Sequence, residues 1–320
     1  MEMKGAVSMN EVMVMNMKHD MEAVRPLTSD LFGRFIEYVD ASPKTVQTYT
    51  RAIRQFLKWL QDNQILEPTR QDILSYRDEL AKDHKPTTVQ NYIVVVRLFF
   101  QWTEQEGIYP NVAQHIKGAK LDRNHKKDYL TSKQVKRVLA DIDRTTVKGK
   151  RNYAIMVLML TGGLRTIEVS RANVEDLSTA GDSTVLYIQG KGHTERTEYV
   201  KLMPEVEDAI RDYLKTRGRV GKGEPLFTSI SNNSQGKRIT ARSVSQVAKD
   251  SMVNAGYNSD RLTAHSTRHT AVTLALLGGQ SLEEVQQFAR HANITTTQIY
   301  AHNLDRAKNK CEATIAKAIF

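Results

Sequence analysis

The chain has few of the features that mark secreted, zinc-binding or membrane-spanning proteins. Cys311 is its only cysteine, so it can form neither an internal disulfide nor a CxxC zinc site. No apolar stretch reaches the length that a bilayer-spanning helix needs. These absences favour a protein of a reducing cytoplasm with no membrane partner.

Several common catalytic motifs are also absent. The sequence contains no GxxxxGKS/T phosphate loop, no HExxH motif and no clustered carboxylates that would hold catalytic magnesium. The segment from Gly221 to Gly223 is too short for a phosphate loop and predicts a turn. An enzyme that acts on phosphate without a metal must neutralise transition-state charge with its own cations. We therefore expect neither a metal nor a cofactor.

The charge balance is strongly positive. The 320 residues include 46 Lys+Arg and 36 Asp+Glu, which gives a formal net charge of +10 and an isoelectric point near 9.5. Because neutralising phosphates releases counterions, this surplus favours a polyanionic partner such as nucleic acid. A merely soluble basic protein would show the same balance, so charge alone does not decide. The length is sufficient for two domains.

The first segment, residues 1–24, is rich in methionine. Glu2, Lys4, Glu11 and Lys18 interrupt any signal-peptide core. We expect this segment to be a flexible extension. It is too short to form a further DNA-binding domain ahead of the helical pattern that follows.

Residues 25–108 have a helical pattern throughout. Ser42 and Pro43 form a good helix start, a capping hydroxyl followed by proline in the first turn. Pro86 opens another helix, which closes at Gly107. With further helices over 31–39 and 69–82, the pattern predicts a four-helix domain. The apolar stripe of its second helix consists of Val46, Tyr49, Ile53, Phe56, Leu57 and Leu60.

Residues 109–128 form a basic linker without apolar periodicity. Between residues 117 and 127 the only acidic residue is Asp122. The same stretch has five basic residues: Lys117, Lys120, Arg123, Lys126 and Lys127. A positively charged connection suits a protein that closes around DNA.

Residues 129–320 have a mixed pattern. A nearly all-apolar helix is predicted over 151–160, and two strands over 185–188 and 198–202 flank a turn at 190–193. Further helices are predicted over 204–215, 240–255, 266–277, 281–290 and from 296 onward. The chain is therefore predicted to be mainly α with a small β-hairpin or sheet, an α+β fold.

Cationic residues stand at special places of this second domain. Gly162 and Gly163 break the apolar helix and project Arg165 from a turn, while His265 and Arg268 share one face of a helix N-terminus. The other candidate site residues are Lys191 at the hairpin tip, His291, and Tyr300, which follows His291 by nine residues. Taken singly, each has a structural explanation. Lys191 is the weakest candidate, because Arg196 and Lys201 lie nearby.

At these residues the chain resembles the tyrosine recombinase, or phage integrase, family, in particular its short Xer-like members. The family signature is met in order by Arg165, Lys191, His265, Arg268, His291 and Tyr300. The segments 161–170, 291–302 and 42–49 resemble the first arginine box, the nucleophile box and the start of the core-binding domain. Where the family often has Leu-Gly before the second histidine, this chain has Ala289 and Arg290, and Arg290 is a candidate for another phosphate contact.

The resemblance implies an architecture and a reaction. It implies a SAM-like core-binding domain followed by a catalytic domain that ends in a helix for subunit exchange. Tyr300 would attack the scissile phosphorus and leave a 3′-phosphotyrosyl link, without metal or ATP. Arg165 and Arg268 would bind the non-bridging oxygens and Lys191 would protonate the leaving oxygen. His265 would assist proton transfer at the tyrosine, and His291 would donate a hydrogen bond to the phosphate.

Other residues near these motifs allow two interpretations. Glu168 either supports Arg165 or faces solvent, and His193, His269 and His302 are expected to be structural. Polar helix faces supply candidate DNA contacts, which could equally be solvated surface: Lys44, Thr45, Thr48, Lys85, Thr88, Arg242, Ser243 and Gln246.

The implied partners are double-stranded DNA with a specific inverted-repeat core site and further copies of the chain, as a tetramer of two dimers. The implied location is cytoplasmic and nucleoid-associated, in a bacterium, phage or mobile element. Two other functions remain open. A type IB topoisomerase would relax DNA without sequence preference, and a non-catalytic DNA-binding protein would form no covalent adduct.

Overall fold

The computed structural model describes residues 29–120, 128–190, 195–308, 314–316 and 319, and gives only the backbone of 29–30 and 302–308. The chain divides into two compact units, Met1–Arg123 and Asn124–Phe320. Within these described ranges, no helix has the length and apolar character that crossing a membrane requires. The predicted extension over residues 1–24 lies outside them.

The first unit contains the four predicted helices. These are α1 (Ser29–Tyr38), α2 (Pro43–Asp62), α3 (Arg70–Asp83) and α4 (Pro86–Gln105). Ser42 caps α2 by accepting a hydrogen bond from the backbone N–H of Thr45 at 3.3 Å. Thr69 and Asp72 form a reciprocal capping box at the start of α3.

Aromatic side chains fill the core of this unit. Phe35 and Phe99 meet edge-on with their ring centroids 5.3 Å apart, and Phe56 packs in the same way on Tyr76 at 5.0 Å. Phe56 is fully buried, so its replacement by alanine would destabilise the unit by about 3–5 kcal/mol. The apolar stripe of α2 faces this core, which leaves the polar side of α2 in solvent.

The second unit is helical around a small sheet. Its elements are α5 (Ser132–Ala140), α6 (Val147–Gly162), α7 (Thr166–Arg171), β1 (Leu177–Ala180), β2 (Ser183–Ile188), β3 (Glu198–Lys201), α8 (Pro204–Arg217), α9 (Ala241–Asn254), α10 (Ala264–Leu277), α11 (Leu282–Ala289) and α12 (Ile294–Lys308).

The sheet is antiparallel, in the order β1–β2–β3. The sequence predicted β2 and β3 and missed β1, a short strand with exposed central residues. Ile188 pairs with Glu198, so residues 189–197 connect β2 to β3. This connection is longer than the turn predicted at 190–193, and residues 191–194 lie outside the described ranges.

Helix α6 is the centre of the second core, because its residues from Ala154 to Leu160 are all buried. It ends at Gly163, whose φ of 59° and ψ of 29° are left-handed. A Cβ on Gly163 would lie 3.1 Å from the Phe288 ring. Glycine therefore gives α6 a sharp end and allows α11 to approach it closely.

Candidate active site

Arg165 is the N-cap of α7, directly after the glycine turn. Its Nη1 donates to Oε1 of Glu168 at 2.7 Å, and its backbone N–H donates to Oε2 of the same carboxylate at 2.8 Å. Glu168 is fully buried, whereas about a third of the Arg165 side chain, 32%, is exposed. Of the two sequence interpretations of Glu168, the structure supports the one in which it supports Arg165.

Arg268 lies in the second turn of α10 and is almost entirely buried. Its Nη1 donates to the Gly163 carbonyl at 2.6 Å, and its Nη2 donates to the Ala289 carbonyl. Burial first, and then the charges of Arg165 and Arg290, lower the pKa of Arg268 to about 9. A bound anion would favour the charged form of Arg268 and so raise this pKa again.

His265 lies one turn before Arg268 on the same helix, and its side chain is exposed. With Arg165 and Arg268 it lines a surface cavity of about 380 Å³, together with Ser245 and Thr263. The structure thus brings together three of the predicted residues from two distant segments.

His291 follows α11, and its Nδ1 lies 2.9 Å from the hydroxyl of Thr297. The pKa of His291 is lowered to about 4, chiefly by burial and then by Arg268, Arg165, Arg290 and His265. His291 is therefore neutral at pH 7 in the free protein. This bond to Thr297 fixes the orientation of the ring.

Tyr300 lies on α12 and is 4% exposed. Its ring packs with Val272, Val285 and Ala289 in a small apolar cluster. Burial raises the pKa of Tyr300, whereas the nearby Arg268 and Arg165 lower it. The free protein therefore holds this hydroxyl protonated and largely covered, but within the field of two predicted phosphate-binding arginines.

Arg165 also borders a second cavity, of about 750 Å³. Arg165, His291, Arg290, Glu198 and Gly190 line it. Lys191, the remaining predicted catalytic residue, lies outside the described residues. Gly190 directly precedes it, so the chain leads from this cavity into the segment that carries Lys191.

Arg290, which the sequence made a candidate for a phosphate contact, bonds to other groups of the protein. Its side chain is only 6% exposed, and its guanidinium donates to the carbonyl of Phe288 at 2.8 Å and to Oε2 of Glu168 at 3.3 Å. In the free protein this guanidinium is largely covered and bonded within the protein, an arrangement that favours a supporting role over a direct phosphate contact.

The local electrostatics suit an anion. Three guanidinium groups, those of Arg165, Arg268 and Arg290, lie within the electrostatic influence of the buried carboxylate of Glu168, and Glu198 adds a second carboxylate near Arg290. This surplus of positive charge in a partly desolvated place is what a phosphodiester would neutralise. Among the residues that the structure describes, no group of three metal-binding side chains occurs.

The eight predicted DNA-contact residues all reach the surface of their own units. Lys44, Thr48, Lys85, Arg242, Ser243 and Gln246 are exposed, and Thr45 and Thr88 are half-buried. Some also serve the helices: Ser243 lies 2.9 Å from the capping hydroxyl of Thr240, and Gln246 donates to Asp250 at 2.7 Å. Helix α9 borders the first cavity through Ser245.

Sequence reasoning assigned His269 a structural role and did not connect it with Tyr300. His269 is 5% exposed, and its ring lies 4.6 Å from the Tyr300 ring, edge to face. The His269 ring also stacks on Tyr129, with the ring centroids 5.8 Å apart. The spacing between His265 and His269, one helical turn apart, was the signal available, but it could not show which ring Tyr300 would meet.

The family profile described as "Phage integrase family" matches residues 128–307, more than half of the chain, and the profile "Phage integrase, N-terminal SAM-like domain" matches residues 30–109. The chain belongs to the phage integrase family. The family and the fold class predicted from the sequence are both confirmed. The two matched regions correspond to the helical unit and to the unit that carries the candidate active site.

Curated members of the phage integrase family resemble this chain at moderate identity. Tyrosine recombinase XerC of Caldanaerobacter subterraneus subsp. tengcongensis is 34% identical over 61% of this chain and 52% of its own length. Tyrosine recombinase XerD of Bifidobacterium longum is 29% identical over 81% of this chain and 86% of its own length. The chain thus spans about half the length of some relatives that it matches and most of others.

Solved structures of DNA-bound recombinases share the fold. A XerH site-specific recombinase bound to a palindromic difH substrate has a TM-score of 0.70 at 19% identity, over 85% of this chain and 80% of that one. A lambda integrase tetramer bound to a Holliday junction has a TM-score of 0.67 at 15% identity, over 89% of this chain and 80% of that one. At these identities the likeness establishes the fold.

Proposed function

We propose that the chain is a site-specific tyrosine recombinase that cleaves and rejoins duplex DNA through a covalent link to Tyr300. One observation carries the proposal: separate segments bring Arg165, His265, Arg268, His291 and Tyr300 into one electrostatically coupled site. The recombinases that the chain resembles support the substrate class, since XerH and lambda integrase are bound to DNA in their structures.

The reaction exchanges one phosphoester for another. The Tyr300 oxygen forms a bond to the scissile phosphorus as the bond from phosphorus to the 5′-oxygen breaks, which leaves a 3′-phosphotyrosyl link. The phenol proton passes to a base and the departing 5′-oxygen receives a proton, so a free 5′-hydroxyl results. In the reverse step a 5′-hydroxyl attacks the link and releases Tyr300. Bond energy is conserved, so no nucleotide is consumed.

Each described site residue has a role that its position allows. Arg165 and Arg268 bind the non-bridging oxygens, because a guanidinium can donate two parallel hydrogen bonds. His265, exposed in the first cavity, assists proton transfer at Tyr300, and His291 donates a hydrogen bond to the phosphate. Lys191 protonates the leaving 5′-oxygen. This last role comes from the resemblance to the family alone.

Tyr300 must become accessible before it can react. Its 4% exposure and raised pKa describe a resting nucleophile. A neutral His291 beside it is suited to donate a hydrogen bond through the nitrogen that does not face Thr297. We infer that DNA binding shifts α12 enough to present the hydroxyl to phosphate, which keeps the free protein from cleaving.

DNA recognition would use surfaces of both units. In this proposal residues 25–108 form the core-binding domain, residues 109–128 a basic linker and residues 129–320 the catalytic domain. The eight exposed or half-buried candidates contact phosphates and base edges of an inverted-repeat site. Acting on such DNA places the chain in the cytoplasm of a bacterium, or of a cell that carries the phage or mobile element.

Recombination would require several copies of the chain on two DNA sites, as a tetramer of two dimers. The terminal residues Ile315 and Ile319 are 57% and 68% exposed, as expected for a tail that packs on a neighbouring copy. The side chains of Leu304 and Ala307 and the whole of Cys311, which belong to the same predicted apolar stripe, lie outside the described residues.

A suicide DNA substrate tests the proposed cleavage. A nick near the scissile bond lets a short fragment diffuse away, so that the covalent protein–DNA adduct accumulates. We expect an adduct with the wild-type protein, none with Tyr300→Phe, and a normal one with Tyr153→Phe, a control tyrosine on α6. Absence of the adduct from wild type on DNA that it binds would indicate a binding protein. Relaxation of plasmids that lack any specific site would indicate a topoisomerase.

A further inference from the structure

Arg290 occupies a backbone position that favours glycine. Its φ of 53° and ψ of 48° are left-handed, at the end of α11. Glycine, which has no Cβ, would adopt this conformation without strain. Arginine adopts it only if the surrounding structure holds it there. The contacts of its side chain therefore need an explanation.

The guanidinium of Arg290 connects two segments that are far apart in sequence. Besides its bond to the Phe288 carbonyl, it donates to the carbonyls of Gly162 at 3.5 Å and Gly163 at 3.3 Å. It also reaches Oε2 of Glu168 at 3.3 Å. Through these bonds Arg290 links the end of α11, directly before His291, to the turn that carries Arg165.

Glu168 is the group through which the two arginines are coupled. Its Oε1 accepts from the Arg165 side chain, whereas its Oε2 accepts from the Arg165 backbone N–H and from Arg290. A buried carboxylate with one arginine partner favours a bidentate pair, which uses both terminal nitrogens of the guanidinium. Arg290 competes for the oxygen that such a pair would need.

We propose that Arg290 is a positioning residue for DNA cleavage: by holding Oε2 of Glu168, it limits Arg165 to one side-chain bond with that carboxylate and reserves the rest of its guanidinium for the scissile phosphate. The proposal depends on the recombinase function proposed above. Because Arg290 is covered, it acts through Arg165 and not by contacting DNA.

The test compares variants at position 290 in the full chain. Arg290→Gly suits the left-handed backbone and removes the guanidinium, while Arg290→Lys keeps a positive charge near Glu168. Arg217→Gln is the matched control, since Arg217 is also largely buried, at 12% exposed, and bonds two carbonyls and the carboxylate of Glu224. Single-turnover cleavage of the suicide substrate and the Kd for uncleaved DNA are measured for each.

We expect Arg290→Gly to lower the cleavage rate about tenfold to a hundredfold, because Arg165 would be drawn toward Glu168. The Kd should stay within about twofold, since Arg290 touches no phosphate. Arg290→Lys should recover part of the rate, and Arg217→Gln should leave it unchanged. A wild-type rate for Arg290→Gly would overturn the proposal, as would a loss of DNA affinity as large as the loss of rate.

Two further measurements separate positioning from simple stabilisation. In a Glu168→Gln background, Arg290→Gly should cost much less rate, because the competition for Oε2 no longer exists. Equal losses in both backgrounds would contradict the proposed route. The charge of Arg290 also helps to lower the pKa of His291, so Arg290→Gly should raise that pKa in an NMR titration. An unchanged pKa would place Arg290 away from the site in solution.

The wild-type adduct separates this inference from the proposed function. If the wild-type protein forms no adduct, the recombinase assignment itself fails. If wild type forms the adduct and Arg290→Gly forms it equally fast, only the role of Arg290 fails.

Discussion

The imidazole of His269 meets the phenol ring of Tyr300 edge to face, with the ring centroids 4.6 Å apart. His269 is itself held by a 3.1 Å hydrogen bond between its Nδ1 and the hydroxyl of Thr273, and by stacking on Tyr129. The candidate nucleophile therefore rests against a fixed ring from the helix that also carries His265 and Arg268. Its position depends on α10 as well as on its own helix.

This contact predicts that His269 supports cleavage without contacting DNA. His269→Ala leaves a space beside Tyr300, so we expect the single-turnover rate to fall about tenfold, with DNA affinity unchanged. His269→Phe keeps a flat ring in the same place and should recover most of the rate. Wild-type cleavage by His269→Ala would show that the ring contact has no role in placing Tyr300.

Arg268→Lys tests whether a guanidinium is needed at the buried position. Lysine cannot bond the carbonyls of Gly163 and Ala289 and also fork onto a phosphate. We expect cleavage to fall about a hundredfold to a thousandfold, as for loss of a preorganised transition-state donor. A rate within about tenfold of wild type would indicate that charge alone suffices there.

Gly163→Ala tests the close approach between the turn after α6 and α11. Gly181→Ala is a matched control, because Gly181 has a similar φ of 57° but no atom within 4 Å of an added Cβ. Each substitution should lower the free energy of unfolding by about 1–2 kcal/mol through its left-handed backbone. Gly163→Ala should lose more, since its Cβ would press on Phe288. Equal losses in urea denaturation would contradict the packing argument.

The pKa of His291 predicts an acid-dependent loss of stability. Its folded-state pKa of about 4 lies below the ordinary value of 6.5. Between these values the unfolded chain binds a proton that the folded chain does not, so the free energy of unfolding falls as the pH drops through this window. After allowance for partial exposure the loss is about 1–2 kcal/mol. His291→Gln should flatten this part of the stability profile, and an unchanged slope would assign the titration to other groups.

DNA binding should offset part of that shift. A phosphodiester anion between Arg165 and Arg268 offsets the charges that hold the pKa of His291 low. In an NMR titration, the pKa of His291 should be higher in a complex of Tyr300→Phe with DNA than in the free protein. The same pKa in both states would mean that the scissile phosphate does not enter this site.

Removal of residues 304–320 tests the proposed exchange between copies. The shortened protein should bind a single DNA half-site normally but fail to complete strand exchange, because no tail remains to pack on a neighbouring copy. Recombination at the wild-type rate would contradict this role for the tail.

Much of the fold could be predicted because apolar residues recur at helical spacing, and those residues are the ones that become buried. The stripe that includes Ile53 and Phe56 is buried as expected, and Ser42 caps its helix. The strand β1 was missed because two of its four residues are exposed and give no alternation. Local signals thus determine most helices, whereas a short edge strand depends on its partner.

The sequence predicted which residues belong to the candidate site. It did not predict the contacts that these residues make with one another. Spacing alone placed His265 and Arg268 on one helical face. No local signal joins Arg290 to Glu168, because these residues are 122 positions apart and meet only when α11 packs on the α6 turn. For the same reason the sequence made Arg290 a candidate for a phosphate contact, although in the folded chain its guanidinium lies against the carboxylate of Glu168.

The most direct test of the central claim is to identify the residue that carries DNA. The covalent adduct is trapped with a suicide substrate, digested with nuclease and protease, and analysed by tandem mass spectrometry. The account predicts a nucleotide attached through its 3′-phosphate to Tyr300, in the peptide that follows His291. Attachment to any other residue, or a nucleotide bound through its 5′-phosphate, would contradict it.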